Sequence, residues 1–548
     1  MDLGFRLSAA ASLFLLPAAA LSLRLGHLQV LRHDALKSRA NGEFSRVAQE
    51  AAPRADILDR AGRVLARSVP SWSCFVDKAM VKDVDGFAAI LAPTLHLPIA
   101  EIARKTRGAV RFAWLKTKLD AAEVEALKRD GKVTGVGVAP LQERVYPNGD
   151  LARGVLGLVG TEGRGLAGAE LTLDKRLRGA PRRFSIIRDG AGHAIYKSVS
   201  DDGHLPDPIR LTLDRNVQYL AEEALSEGAA KHAFKSGTLA VQDPRNGEIL
   251  AMAAWPPNPL KNPLVQDAYE PGSTFKVVTA LASVDERLVT PTETFDGEQG
   301  QWQVVPDVSI TDHEGQGLMT LSQILERSSN IGIAKVVSRV GASRFYRMSR
   351  ALGFGVRSGV GLPGETAGEL KPLADLTKVG LAASSYGYGL AVSPLQILGA
   401  YSALANGGTL WQPKILLDGK SGVRVRRIAG ESAVREVCEM LEGVVERGTA
   451  TGARIPGYRV AGKTGTARKI DPLTRKYSTS AYVASFVGFL PASAPRWTIL
   501  VVLHEPQGAY YGGLTAAPIF ASLGRRLLAL EAVSPDQPTD PAIGTARR

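Results

Sequence analysis

Only two cysteines, Cys74 and Cys438, occur in 548 residues, and they lie far apart. A disulfide framework and a cysteine-based metal site are therefore not expected. Cys438 stands among Val434, Val437, Met440, Leu441 and Val444 at helical spacing, where a small buried hydrophobe fits best. Long Lys/Arg blocks with interleaved aromatics are also missing, which argues against nucleic acid as a partner despite a net charge of +13. The triplet Asp312-His313-Glu314 has no second ligand cluster to join it, so no metal site is expected there. What the chain does have is an ordinary globular composition, 45% hydrophobic, and length enough for two or three domains. Its basic balance favours anionic surfaces such as phospholipid or wall polymers.

Between Leu7 and Leu23 there is no charge, with Arg6 before and Arg24 after. At helical rise this run is about 26 Å long, the short end of a bilayer span, and the flanking arginines can snorkel. The expectation is a signal-anchor over residues 1–25, although Ala18-Ala19-Ala20 also offers a cleavage site for a removed signal peptide. Either way the bulk of the chain is expected outside the cytoplasm. Residues 26–207 show no dominant period. Within them Arg54 to Ala66 reads as two short strands about an Asp/Gly turn, and short helices are expected near Phe87 to Leu91 and Ala121 to Lys128. Nothing there pairs a nucleophile with a base, and the region reads as a docking or spacing module.

Residues 208–533 read as an α+β domain with an antiparallel sheet backed by helices. A helix from Val217 to Leu225 precedes a hairpin, Thr238 to Val241 and Ile249 to Ala253, about Pro244-Arg245-Asn246-Gly247. A second helical passage is expected from Leu321 to Val337, and later strands at Tyr458 to Thr466, Tyr482 to Phe489 and Trp497 to Leu503. His504-Glu505 ends the last strand and reads as a surface pair. Residues 534–548 read as a disordered tail.

Pro271-Gly272 opens a helix that is apolar nearly all round. Ser273 and Lys276 share one of its faces, so an amine can reach a hydroxyl while the helix N-terminus favours an oxyanion. Further on come Ser328-Ser329-Asn330 and Lys463-Thr464-Gly465-Thr466. On a strand Thr464 and Thr466 fall on one face, two hydroxyls suited to a carboxylate, and Gly465 permits close approach of a substrate backbone. Gly457 to Thr464 also matches the phosphate-loop pattern G-x-x-x-x-G-K-[ST]. That reading needs a strand before the first glycine and a helix after Lys-Thr, and neither flank supplies one.

Ser-x-x-Lys, Ser-x-Asn and Lys-Thr-Gly in this order are a set known from penicillin-binding proteins and class A β-lactamases. With Tyr269 to Lys276, Ser328 to Gly332, Gly361 to Glu365 and Ala461 to Thr466, the chain resembles class B penicillin-binding proteins from Arg54 to Phe520. Tyr386 to Gln396 looks more like the division-specific branch than the elongation branch. Arg54 to Gly62 resembles the family's R-G-x-I-x-D-R-x-G signature, with Ala55 where the family has Gly. The resemblance implies a serine D,D-transpeptidase that joins peptidoglycan stem peptides through an acyl-enzyme, without a cofactor. It implies Ser273 as nucleophile, Lys276 as its base, Ser328 and Asn330 as proton relay and amide holder, and Lys463, Thr464, Gly465 and Thr466 as the substrate-binding strand. It further implies inhibition by β-lactams, a single pass through the inner membrane, and a polytopic SEDS-type glycan polymerase among other divisome partners, since no glycosyltransferase signature precedes Arg210. A D,D-carboxypeptidase or β-lactamase would share the motifs but use water as acceptor, and a non-catalytic division scaffold would not need them.

Overall fold

A computed structural model describes residues 3–50, 53–129, 133–160, 163–188, 194–258, 260–471 and 473–538. The tail expected over 534–548 therefore lies mostly outside the described residues. The chain divides into two compact units, one of Met1–Arg54, Val69–Glu143 and Arg178–Pro206, the other of Ala55–Ser68, Arg144–Leu177 and Asp207–Arg548.

The first unit begins with the helix Leu3–Gly26, and Ala9–Leu31 is the one stretch among the described residues long and apolar enough to cross a membrane. Strands Ser45–Glu50, Arg182–Arg188 and Ala194–Asp201 form an antiparallel sheet. A separate small core gathers Cys74, Phe87, Leu91, Ile102, Leu115 and Leu127, from the helices Val84–Leu95, Ile99–Gly108 and Ala121–Arg129 and the strands beside them.

The second unit is built on five antiparallel strands, β1 (Ser236–Gln242), β2 (Ile249–Trp255), β3 (Ala461–Ile470), β4 (Tyr477–Leu490) and β5 (Trp497–His504), in the spatial order β2-β1-β5-β4-β3. The hairpin expected about residues 244–247 is β1–β2, turned by Gly247 at φ 80°. β5 and the second half of β4, from Val483, read as nearly unbroken apolar runs because both faces are covered. The helices Arg215–His232, Pro394–Ala405 and Ala516–Leu530 pack on this sheet, and Val501, Phe486 and Phe520 lie fully buried between layers. Upstream segments join this unit through specific pairings. Ile57–Leu58 runs parallel to Ile209–Arg210, and Arg144 donates to Glu170 at 2.7 Å in a fully buried ion pair. Ala55 has an ordinary backbone, and the left-handed position of this stretch falls on Gly62, φ 85°, so the departure from the glycine signature leaves the turn intact.

Some details differ from the sequence reading, which placed the third motif's strand at Tyr458 to Thr466 where β3 is Ala461–Ile470. The passage Leu321 to Val337 is two helices, Leu321–Glu326 and Asn330–Val340, broken where Ser328 takes φ 59°. His504 is mostly buried rather than a surface residue, its ring edge-on to Tyr269 at 6.5 Å, and burial pushes its imidazole down to about 4. Glu505 alone behaves as a surface ion, pairing with Lys469 at 2.5 Å.

Candidate active site

Pro271 and the 3₁₀ turn Gly272–Phe275 lead into the helix Lys276–Asp285, whose residues from Lys276 to Val284 are all buried. In a 3₁₀ turn side chains at i and i+3 eclipse, so Ser273 and Lys276 line up although only Lys276 lies in the α-helix proper. Phe275 fixes the turn from below, with its ring 4.7 Å from Phe354 and 6.1 Å from Phe345. From behind, the buried Tyr401 hydroxyl donates to the Thr274 carbonyl at 2.9 Å.

The second wall is the break between helices. Ser329 caps the helix Asn330–Val340, accepting from Gly332 N at 2.9 Å. The left-handed Ser328 turns both its carbonyl and its hydroxyl toward Lys276. Lys276 Nζ donates to the Ser328 carbonyl and to Asn330 Oδ1 at 2.9 Å, and lies 3.1 Å from Ser328 Oγ. Among the described residues no hydrogen bond joins Ser273 Oγ to Lys276 Nζ.

β3 is the third wall and an edge strand of the sheet. Lys463 is fully buried, and its Nζ lies 3.0 Å from Ser328 Oγ, so one hydroxyl bridges two lysines. Thr464 Oγ1 pairs with Thr449 Oγ1 at 2.9 Å, and Thr466 Oγ1 accepts from Gly512 N at 3.2 Å. Gly465 is needed for an internal contact rather than an open approach. A Cβ there would lie 2.3 Å from Ser485 Oγ, 2.9 Å from the Pro271 carbonyl and 3.0 Å from Thr274 Cγ2. The bare strand thus lets the Ser273 turn sit directly on β3.

Burial lowers Lys276 to about 7, with the nearby carboxylate of Asp312 opposing the shift. Lys463 is held well below its ordinary value by burial and by Lys276. Two amines this close in a dry site do not both carry a proton comfortably. The Ser328 carbonyl and Asn330 Oδ1 can only accept, so Lys276 spends two N–H groups on them. A neutral Lys276 keeps a lone pair free for a hydroxyl proton.

Ser273, Ser328, Asn330, Thr464 and Thr466 line one cleft, with Asp312, His313, Arg327, Thr449, Arg468 and the tyrosines 388, 482, 510 and 511. Lys276 and Lys463 are fully buried beneath its floor, and Gly465, between Thr464 and Thr466 on β3, faces Pro271 and Thr274. No spacing in the sequence links the tyrosine rim or Asp312 to the three motifs, and only the fold brings them to the cleft. Asp312 receives the backbone N–H groups of Asn330 and Ile331 and the Ser329 hydroxyl. The phosphate-loop reading fails on geometry, since Lys463 and Thr464 stand inside a strand rather than at a loop-to-helix junction.

A serine on a helix start, two buried lysines and a free strand edge define an acyl-transfer site of the penicillin-recognising kind. Residues 237–524 match the penicillin-binding protein transpeptidase domain, and residues 49–206 match the penicillin-binding protein dimerisation domain. The chain belongs to the class B penicillin-binding proteins, the D,D-transpeptidases of peptidoglycan. It is 33% identical to the probable peptidoglycan D,D-transpeptidase PenA of Neisseria meningitidis serogroup B, over 98% of this chain and 94% of that one. It is 30% identical to the peptidoglycan D,D-transpeptidase FtsI of Escherichia coli K12, over 95% and 91%. The crystal structure of penicillin-binding protein 3 of Mycobacterium tuberculosis complexed with ampicillin superposes with a TM-score of 0.68 at 27% identity, covering 90% of this chain and 98% of that one.

Proposed function

We propose that this chain cross-links peptidoglycan stem peptides at the division septum, held by its N-terminal helix in the inner membrane with residues 208–533 outside the cytoplasm as the catalytic domain. Residues 26–207 serve as the docking module, and a SEDS-type glycan polymerase and other divisome proteins are the partners. The observation that carries the chemistry is the Ser328 hydroxyl shared by two buried lysines beside Ser273. Neutral Lys276 takes the proton of Ser273 Oγ as that oxygen attacks the carbonyl between the two terminal D-alanines. The N–H groups of Ser273 and Thr466 hold the oxyanion. The C–N bond then breaks, and the departing D-alanine amine receives its proton through Ser328. Lys463, Thr464 and Thr466 hold the terminal carboxylate, and Asn330 the substrate amide. In the second half-reaction a stem amine attacks the ester, loses a proton to Lys276, and releases Ser273. β-Lactams acylate the same serine.

The test is labelling with a fluorescent penicillin: wild-type protein is labelled and S273A is not. Label on S273A would overturn the assignment. A penicilloyl adduct lasting hours separates the transpeptidase from a β-lactamase-like hydrolase, which would clear it in seconds. The septal role rests on the Tyr386 to Gln396 stretch and the full-length likeness to FtsI and PenA. Depletion should give filaments, whereas rounded cells would assign the chain to elongation.

A further inference from the structure

The hairpin strands Gln301–Val305 and Val308–Thr311 deliver Asp312 to the site, and every oxygen of that carboxylate is engaged with the second motif. Oδ1 accepts from the N–H groups of Asn330 and of Ile331, the latter at 3.2 Å, and Oδ2 accepts from the Ser329 hydroxyl. Asn330 Nδ2 donates to the Thr311 carbonyl at 3.1 Å, so the hairpin also orients the amide whose oxygen holds Lys276. A carboxylate on the first N–H groups of a helix answers both the unpaired donors and the helix dipole. Here that helix starts at a catalytic residue, and the residue before its cap is the left-handed Ser328. The same carboxylate is the negative charge that faces Lys276.

We propose that Asp312 is a positioning residue for acylation, whose carboxylate locks the Ser328–Asn330 turn against Lys276 and stands as a counter-charge to that amine. This rests on Lys276 being the base for Ser273.

Among the described residues, the charges acting on Lys276 are Asp312 from the hairpin and Lys463 from β3, while Ser328 and Asn330 bond to it without charge. Glu326 and Arg447, which also line the cleft, are paired with each other at 2.5 Å. His313 and Glu314 follow Asp312 on its own loop, and the His313 ring bonds to the Tyr511 hydroxyl. A negative charge at Asp312 favours the ammonium of Lys276, and Asp312→Asn removes it. Lys276 must be neutral to act, so the acid limb of the acylation rate moves to lower pH in D312N. A shift of about one pH unit is expected from one nearby charge. The plateau falls as well, about tenfold, because an amide cannot accept three hydrogen bonds in the carboxylate's geometry.

The experiment measures the acylation rate constant with a fluorescent penicillin from pH 5.5 to 9 for wild type, D312N and D312E. The supporting result is a midpoint lowered in D312N and kept in D312E, each with a reduced plateau. A D312N midpoint that stays or rises, with only the plateau reduced, would leave Asp312 a structural cap and overturn the proposal. D312S supplies the same neutral comparison should D312N not fold. Labelling of S273A, or wild-type acylation with no acid limb, would instead strike the Ser273–Lys276 reading, so the two failures are distinguishable.

Discussion

Gly465→Ala adds a single methyl group, and the structure places that methyl against three fixed neighbours. Its Cβ would stand 2.3 Å from Ser485 Oγ, 2.9 Å from the Pro271 carbonyl and 3.0 Å from Thr274 Cγ2, all nearer than carbon contacts allow. Ser485 is the cross-strand partner of Gly465 on β4, and it is buried. Pro271 and Thr274 bracket Ser273, with Thr274 Oγ1 tied to the Pro271 carbonyl at 2.9 Å. Relief therefore requires β3 and the Ser273 turn to part by roughly an ångström, and a displacement of that size at a reacting group costs about 10²-fold in rate. In barrier height this is about 2.7 kcal/mol. Overpacking of a dense core adds a stability loss of about 1–3 kcal/mol. The assay is the second-order acylation constant with a fluorescent penicillin, read beside thermal unfolding. G465A should fold, melt several degrees lower and acylate about a hundred times more slowly. In the double variant G465A/S485A the nearest clash disappears while the Pro271 contact stays, so melting temperature should recover more than rate. Acylation by G465A within threefold of wild type would refute the claim that β3 directly supports the Ser273 turn.

Two further outcomes follow from the same geometry. Ser328→Gly removes the hydroxyl shared by Lys276 and Lys463 while suiting the φ of 59°, where a non-glycine residue costs about 1 kcal/mol. Acylation should fall by about 10²–10⁴, the range of a lost proton-transfer group, with the melting temperature held or raised; a matched loss of both would point to a purely structural serine. Burial pushes both thiols up to about 12, Cys74 also feeling Glu123 and Cys438 feeling Glu442 and Glu439. Native protein should resist iodoacetamide at pH 8 and take up two equivalents once denatured, as mass spectrometry would record; rapid native modification would contradict the packing around these positions.

Much of the catalytic unit was legible because local patterns and tertiary structure agree. Alternating and apolar runs marked β1, β2, β4 and β5, and the apolar helix after Ser273 was readable as buried. Where the pattern misleads, the cause is specific. The polar run Glu326 to Asn330 interrupts the apolar period, but such a run fits a solvated helix face as well as a break, so it does not announce the left-handed residue that splits the passage. β3 starts at Ala461 rather than Tyr458 and runs on to Ile470 because β4 pairs with it through polar residues. Ile57–Leu58 and Arg144 joined the catalytic unit through long-range pairings that local sequence does not encode. Asp312 carries no helical or strand signal toward Asn330, being brought there only by the hairpin. His504 followed the common preference of polar strand ends for solvent, which packing against Tyr269 overrides.

The burial of both lysines ties reactivity to the core. An exposed lysine holds its proton near pH 10.4 and is no base at neutral pH. Lys276 escapes that value because the helix Lys276–Asp285 is enclosed by Phe345, Phe354 and Tyr401, and Lys463 because β3 lies against the Ser273 turn. Each amine makes the neighbour's proton less comfortable, so the pair works as one site. The Ser328 hydroxyl is its link: it can donate to whichever lysine is neutral and accept from the one that is charged. Under the proposed mechanism, a proton passed from Ser273 to Lys276 could therefore reach Lys463 or a leaving amine without entering bulk water. The left-handed backbone at Ser328 is what aims its carbonyl and its hydroxyl at the same lysine, and the capped helix behind it holds that conformation. The strained residue is thus the point where helix, strand and hairpin converge on the proton.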